Sequence, residues 1–184
     1  GYDRQHTALD LHDRKCDQNL ARLHKAGIKG VRTVSGDACE LDAVLTSFDA
    51  MLGEPALFDT VFIDAPCSGT GTMRRHPEIP WRLTEKDVTT ELPKLQLTML
   101  KEAAARVAAD GELVYATCSV FDEENAQVVD AFLASPEGAD FSLAPLSEAQ
   151  ILQLSEFAQA KKLVSVRQNA RGLFQSVPVN ADSY

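Results

Sequence analysis

The chain has 184 residues, 45% of them hydrophobic and 24% charged, which predicts one globular domain with a substantial core. Its net charge of −9 argues against extensive nucleic-acid binding, because neutralising phosphates requires lysine and arginine. No apolar run approaches the ~18 residues that cross a membrane, and no signal peptide opens the chain, so we expect a cytoplasmic protein.

The hydrophobic pattern alternates short strands with amphipathic helices. It predicts strands over residues 7–11, 31–34, 58–63 and 112–117, and helices over 12–26, 39–51, 93–109 and 122–133, with Asp110-Gly111 ending the third helix. A capping box, Thr84-x-x-Asp87, predicts a further short helix. This alternation predicts a mostly parallel, right-handedly wound α/β sheet with helices on both faces.

The signals weaken after Ser135. Residues 141–144 and 173–179 are predicted as edge strands, with a short helix starting at Ser147. We therefore expect a Rossmann-like core over residues 1–135, carrying C-terminal edge elements over 136–184 within one domain.

The first two predicted strands each end near an acid, Asp10 and Asp37. In a Rossmann-like sheet, an acid at such a position meets a ribose hydroxyl or lies near an adenine. An equally good interpretation is that each acid caps the helix that follows it.

The third strand ends on Asp64 and runs into a loop that holds a thiol, Cys67. Pro66 restricts the backbone there, so the acid and the thiol are expected at a sharp corner. Gly69 and Gly71 allow a backbone or a ligand to approach closely. The alternative is an ordinary strand-to-helix loop with an incidental cysteine.

The fourth strand delivers a second thiol, Cys118, at its tip. If the third and fourth strands are neighbours, Cys67, Cys118 and Asp64 face one crevice, an arrangement that suits nucleophilic catalysis with proton transfer. The alternative for Cys118 is a buried structural cysteine. No C-x-x-C pair occurs among the four cysteines and no histidine has zinc-ligand spacing with them, so we expect free thiols and no metal site.

A local basic stretch follows the Cys67 loop. Arginine pairs with phosphate and stacks on bases, and tryptophan offers a stacking face, so this stretch is a candidate RNA contact. The alternative is a solvated loop with its tryptophan packed onto the core. The residues concerned are Arg74, Arg75, His76, Trp81 and Arg82.

Several short motifs occur together and in a fixed order along the chain. They are Asp64 to Gly71 (DAPCSGTG), Arg75 to Glu78 (RHPE), Gln96, Leu113 to Val120 (LVYATCSV) and Glu123 to Asn125 (EEN). In these motifs the chain resembles the Sun (Fmu-type) RNA cytosine-5 methyltransferases, from about Thr7 to Leu133. The resemblance implies a Rossmann-like, S-adenosylmethionine-dependent enzyme that acts on RNA, with ribosomal RNA as the first expectation and transfer RNA as the second.

The resemblance also implies roles for individual residues. Cys118 matches the nucleophile of the family, and Cys67 matches the second cysteine, which helps to release the product. Asp64 matches an acid that contacts the target base near the methionine end of the cofactor. Asp10 and Asp37 match the acids beside the ribose and the adenine.

This chemistry accounts for the residue types. Addition of a thiolate to carbon 6 makes carbon 5 of cytosine nucleophilic enough to accept a methyl group. A protonated Asp64 would stabilise the adduct, but that requires a raised pKa and therefore a dry pocket. The base must leave its stack, so single-stranded or loop RNA is the expected substrate.

The chain departs from the family pattern at its start. The glycine-rich cofactor loop and its lysine do not occur, so we expect a fragment without the central first strand, with a gap between the strands that hold Asp10 and Phe62. We predict weak or no cofactor binding by this chain alone. Competing interpretations are a DNA-type enzyme in which Cys67 attacks, a non-catalytic RNA-binding or assembly module, and a thiol hydrolase.

Overall fold

The computed structural model of the chain describes residues 6–160, 165–169 and 171–177. The chain divides into two compact units, Gly1–Ala139 and Asp140–Tyr184. In the first unit strands and helices follow one another as the hydrophobic pattern predicts. Its elements are β1 (His6–Asp10), α1 (Asp13–Lys25), β2 (Val31–Ser35), α2 (Leu41–Leu52), β3 (Phe58–Asp64), α3 (Ile79–Arg82), α4 (Leu92–Ala104), β4 (Val107–Ala116) and α5 (Ala126–Leu133).

The strands of the first unit form two parallel pairs. Strand β1 pairs with β2, and β3 pairs with β4 so that Asp64 lies opposite Ala116. Among the described residues no hydrogen-bonded ladder joins β1–β2 to β3–β4. Phe62, in the middle of β3, is 64% exposed. The α/β architecture with parallel strands is as predicted, and the interruption falls where the sequence places a gap.

The helical side of the β3–β4 pair holds the best-packed apolar residues. Helices α4 and α5 pack together, and Leu100, Ala103, Val128 and Phe132 are at most 4% exposed. Burial of these side chains fixes the two helices against each other. Helix α4 also contacts the Cys67 loop, because the Gln96 amide donates to the Pro66 carbonyl at 2.9 Å.

The predicted helix over residues 93–109 is too long. Helix α4 ends at Ala104, and Asp110 and Gly111 lie inside β4. The buried Arg106 turns the chain: its guanidinium donates twice to the Asp49 carboxylate, at 2.9 and 3.1 Å, and its carbonyl accepts from the backbone of β3. Tertiary pairing with α2 and β3 therefore overrides the helix propensity of the alanines.

The predicted helix over residues 122–133 is interrupted at Asn125. A 3₁₀ turn spans Asp122–Glu124, and α5 begins only at Ala126. The Asn125 amide donates to the carbonyls of Ser119 and Phe121, at 3.1 and 2.7 Å, and its oxygen accepts from the Thr117 hydroxyl at 2.6 Å. These bonds hold Asn125 in a non-helical conformation.

The capping box has the predicted geometry. The Asp87 carboxylate accepts from the backbone N–H of Thr84 at 2.8 Å, and the Thr84 hydroxyl accepts from the backbone N–H of Asp87 at 3.2 Å. A π-helical turn over Asp87–Glu91 then leads directly into α4. This segment passes close to the Cys67 loop.

The second unit contains α6 (Glu148–Ala160) and two antiparallel strands, β5 (Ser165–Gln168) and β6 (Phe174–Val177). The helix predicted from Ser147 is confirmed. The strand predicted over 141–144 is wrong, since those residues are irregular. The strand predicted over 173–179 is present as β6, and residues 178 and 179 lie outside the described residues. Strand β5 was not anticipated, because its short polar sequence has no strand periodicity.

Candidate active site

The two thiol loops meet at the carboxyl ends of β3 and β4. Because these strands are neighbours and parallel, the loops that follow Asp64 and Ala116 leave the same edge. The sulfur atoms of Cys67 and Cys118 lie 3.2 Å apart, and the backbone N–H of Cys118 donates to the Cys67 sulfur at 3.3 Å. The structure thus brings together the two cysteines that lie 51 positions apart in the chain.

Two glycines give the Cys67 loop its shape. Gly69 has a φ of +72°, in the left-handed region that favours glycine. The N–H of Gly71 donates to the carbonyl of Cys118 at 2.8 Å, and a Cβ placed on Gly71 would lie only 2.9 Å from that oxygen. The sequence predicts that a backbone or a ligand approaches Gly71 closely, and in the structure this is the backbone of the loop that holds Cys118.

The two thiols differ in their surroundings. Cys118 is exposed, whereas Cys67 is partly buried. Burial, followed by the hydrogen bond with Cys118, raises the pKa of the Cys67 thiol from 9.0 to about 11. At neutral pH Cys67 therefore carries its proton, and a protonated thiol is a much weaker nucleophile than a thiolate.

The three predicted acids lie at or just beyond strand ends. Asp10 accepts from the backbone N–H of His12 at 2.9 Å, and Asp37 accepts from that of Cys39 at 2.8 Å. In each case one carboxylate oxygen stabilises the turn that follows, but the interpretation of these acids as helix caps is wrong, because the N-caps of α1 and α2 are His12 and Glu40. Asp64 is exposed, so the described residues do not supply the dry pocket that a protonated Asp64 requires.

A cavity of about 530 Å³ opens beside Cys67. Its walls include the apolar side chains of Ile79, Leu92 and Leu95, and Arg82 also lines it. The acids Asp87 and Glu91 belong to the same lining, so the cavity combines apolar walls, which suit a planar heterocycle, with charges of both signs. It extends from the basic loop to Cys67.

The basic loop is open to solvent. The arginines and the histidine singled out in the sequence, Arg74, Arg75, His76 and Arg82, are all exposed. The side chain of Trp81 is 89% exposed, so the interpretation in which this tryptophan packs onto the core is wrong. The His76 ring lies 3.3 Å from the carboxylate of Glu78.

A buried polar network behind the thiols was not identified as functional from the sequence. At its centre Glu124, which is 0% exposed, accepts hydrogen bonds from Ser68, Gln96 and Ser119. Glu124 stands in an acidic run that reads as a solvated helix start, and only its place among the motifs of the resemblance marked it. Its burial follows from the approach of two distant loops, which no local pattern reports.

Three further observations concern metal ligands, disulfides and membrane spans. Within the described residues no cluster of histidine, cysteine, aspartate and glutamate is suited to hold a metal ion. All four cysteines are free. None of the described helices combines the length and the apolar character that crossing a bilayer requires.

The architecture matches solved structures over most of the chain. A methyltransferase homologue from Pyrococcus horikoshii matches with a TM-score of 0.59 and 25% identity, over 79% of this chain and 40% of that one. NSun6 from the same organism, solved with SFG, matches with a TM-score of 0.57 and 25% identity, over 70% of this chain and 30% of that one. The chain thus has a Rossmann-like methyltransferase fold with two cysteines at neighbouring strand ends.

Sequence relationships narrow this class to a family. A family model described as 16S rRNA methyltransferase RsmB/F matches residues 3–177. The ribosomal RNA small subunit methyltransferase B of Salmonella typhi is 47% identical over 133 residues, which cover 72% of this chain and 29% of that protein. The chain belongs to the RsmB/F family of 16S rRNA methyltransferases. The matched part spans less than a third of the length of that relative.

Proposed function

We propose that this chain carries the catalytic cysteines of an S-adenosylmethionine-dependent enzyme that methylates carbon 5 of a cytosine in ribosomal RNA. The observation that carries the proposal is the pair of sulfur atoms 3.2 Å apart at the ends of two neighbouring parallel strands, beside a cavity of about 530 Å³. Transfer RNA is the second candidate substrate. A cytoplasmic location accords with four free thiols.

The exposure of Cys118 supports it as the nucleophile, and the burial and raised pKa of Cys67 argue against Cys67 in that role. The Cys118 thiolate attacks carbon 6 of the cytosine, and the new C–S bond makes carbon 5 nucleophilic. Bound S-adenosylmethionine would supply the electrophilic methyl group. Water takes the proton from carbon 5, the electron pair of that C–H bond re-forms the C5–C6 double bond, and the Cys118 sulfur leaves as a thiolate. The neighbouring Cys67 thiol donates a hydrogen bond to this departing sulfur across 3.2 Å.

The acids of the chain have the chemistry that the cofactor requires. Asp10, Asp37 and Asp64 follow three different strands, and their carboxylates are acceptors for ribose hydroxyls and for an amine. Because no ladder joins β1–β2 to β3–β4 in the described chain, we keep the prediction that it binds the cofactor weakly or not at all by itself. Isothermal titration with S-adenosylmethionine measures this, and a micromolar dissociation constant would contradict it.

The basic loop is the proposed RNA contact. Arg74, Arg75, His76 and Arg82 supply positive charge for the phosphates, and the exposed ring of Trp81 supplies a stacking surface for an unpaired base. Arg82 also lines the cavity beside Cys67, so a strand bound along the loop lies next to that cavity. Because the overall charge is −9, attraction of RNA depends on local basic segments such as this loop.

The test uses a chimaera, because the chain spans 29% of the Salmonella typhi relative. Its residues replace the matching segment of that relative, and the product is incubated with S-adenosylmethionine and RNA that contains 5-fluorocytosine, which blocks release. We expect a covalent protein–RNA adduct that Cys118→Ala abolishes. The matched control Cys39→Ala, at a thiol away from the site, should keep the adduct.

The outcomes separate the competing functions. With ordinary RNA, Cys67→Ala should accumulate adduct, because release loses its hydrogen-bond donor. An adduct that survives Cys118→Ala but not Cys67→Ala would reverse the roles and favour a DNA-type mechanism. RNA binding with neither adduct nor methyl transfer would favour a non-catalytic RNA-binding module.

A further inference from the structure

The Glu124 carboxylate contacts the residue that follows each cysteine. One oxygen accepts from the backbone N–H of Ser68, next to Cys67, at 2.8 Å. The other accepts from the hydroxyl of Ser119, next to Cys118, at 2.5 Å. A single side chain thus spans the two loops directly behind the sulfur atoms.

This carboxylate is fully buried, and its donors are neutral. Glu124 and Gln96 are both 0% exposed, and the Gln96 amide donates to Glu124 at 3.0 Å and to the Pro66 carbonyl at 2.9 Å. Burying a carboxylate is costly even when neutral donors surround it. Apolar side chains would fill this space at lower cost, but they would not orient the backbone on either side of it.

We propose that Glu124 is a positioning residue that sets the spacing and orientation of Cys67 and Cys118. For catalysis this inference rests on the proposed function, because only a reaction that uses both sulfurs requires their spacing to be set. The backbone of Glu124 is anchored separately: its carbonyl accepts from the Tyr115 hydroxyl at 2.7 Å. Changing the side chain therefore removes the bridge between the loops and leaves this anchor in place.

Glu124→Gln keeps the size of the side chain and removes one acceptor. The remaining oxygen can still accept from Ser68, but the new NH₂ group faces the Ser119 hydroxyl. That hydroxyl oxygen already accepts from the Ser68 hydroxyl at 3.0 Å and from the backbone N–H of Phe121 at 3.1 Å. Two donors then oppose each other at the Ser119 loop, which should move away. The matched control is Asp122→Asn, the same change at an exposed acid of the same turn.

The first measurement reports sulfur spacing without any methyl transfer. Diamide takes up two hydrogens, one from each thiol, and leaves a Cys67–Cys118 disulfide that peptide mass spectrometry quantifies. We expect Glu124→Gln to slow this closure at least about tenfold, at a temperature where circular dichroism shows it folded, while Asp122→Asn closes at the rate of the unchanged chain. Equal rates in all three proteins would overturn the proposal. Should Glu124→Gln not fold, Ser119→Ala must show the slowing, because it removes the hydroxyl that donates to Glu124, together with that hydroxyl's contacts to Ser68 and Phe121.

The second measurement separates this proposal from the proposed function. In the chimaera, Glu124→Gln should lower the rate of methyl transfer at saturating RNA about tenfold and leave the KM for RNA within about twofold. If the unsubstituted chimaera forms no adduct while Glu124→Gln still slows disulfide formation, that result would contradict the methyltransferase function and leave the positioning role intact. If Glu124→Gln slows disulfide formation but transfers methyl groups at the normal rate, only the catalytic part of the positioning role is contradicted.

Discussion

The pKa of the Cys67 thiol can be measured directly. Cys118→Ser removes the competing thiol, while its hydroxyl and its backbone N–H still contact the Cys67 sulfur. Burial, the larger cause of the shift, is unchanged, so the pKa of Cys67 should stay near the value of about 11. Alkylation by iodoacetamide, followed by peptide mapping across a pH series, reports the thiolate at this position alone.

The expected alkylation rate of Cys67 follows from the shift in its pKa. At pH 8, moving a thiol pKa from 9.0 to about 11 lowers the thiolate fraction by a factor of ~90. The more basic thiolate is intrinsically more reactive by a factor of ~8, so alkylation should be about tenfold slower than that of a free thiol. Cys118→Ala, which removes the hydrogen bond and keeps the burial, should react faster than Cys118→Ser. A rate profile for Cys118→Ser with its midpoint at or below pH 9 would refute the reasoning.

The same shift makes stability depend on pH. Folding raises the pKa of Cys67, so the folded chain holds a proton that the unfolded chain releases first. The resulting stabilisation is complete below the unfolded pKa, near 9, and is lost as the pH rises towards 11. Urea unfolding between pH 8 and 11 should therefore show a steeper loss for the unchanged chain than for Cys67→Ala, and parallel curves would exclude the effect.

Two further predictions concern the frame of the site. Gly71→Ala places a Cβ 2.9 Å from the carbonyl oxygen of Cys118, so the two loops must separate. The free energy of unfolding, measured in urea, should therefore fall by about 1–3 kcal/mol. An unchanged urea midpoint would show that the loops adapt without cost. Arg106→Met leaves Asp49 without its cation, and the urea midpoint should fall further than in Lys101→Met, whose ammonium is one-third exposed. Equal falls would mean that the buried pair contributes no more than an ordinary surface pair.

Much of the candidate site is encoded in local sequence. The DAPC and TCS segments each combine the end of an apolar strand with a polar loop, so their placement at a sheet edge followed from periodicity and turn chemistry alone. The capping box at Thr84 and Asp87 was equally local and has its predicted geometry. Where prediction failed at the end of α4, the decisive contact is the long-range pair of Arg106 with Asp49. At Asn125 the decisive contacts are hydrogen bonds to residues four to eight positions upstream, which helical periodicity does not reveal.

The sequence by itself therefore determined the main strands and helices of the first unit, the two thiols and the family, because hydrophobic period, turn residues and motif order are encoded in neighbouring positions. The tertiary structure alone decided that the sulfurs lie 3.2 Å apart, that the pKa of Cys67 is raised and that Glu124 lies buried between the loops. Each of these depends on the pairing of β3 with β4, which brings together residues about fifty positions apart. Distance, desolvation and burial arise from the contact between these distant segments, and no single segment of the sequence encodes them.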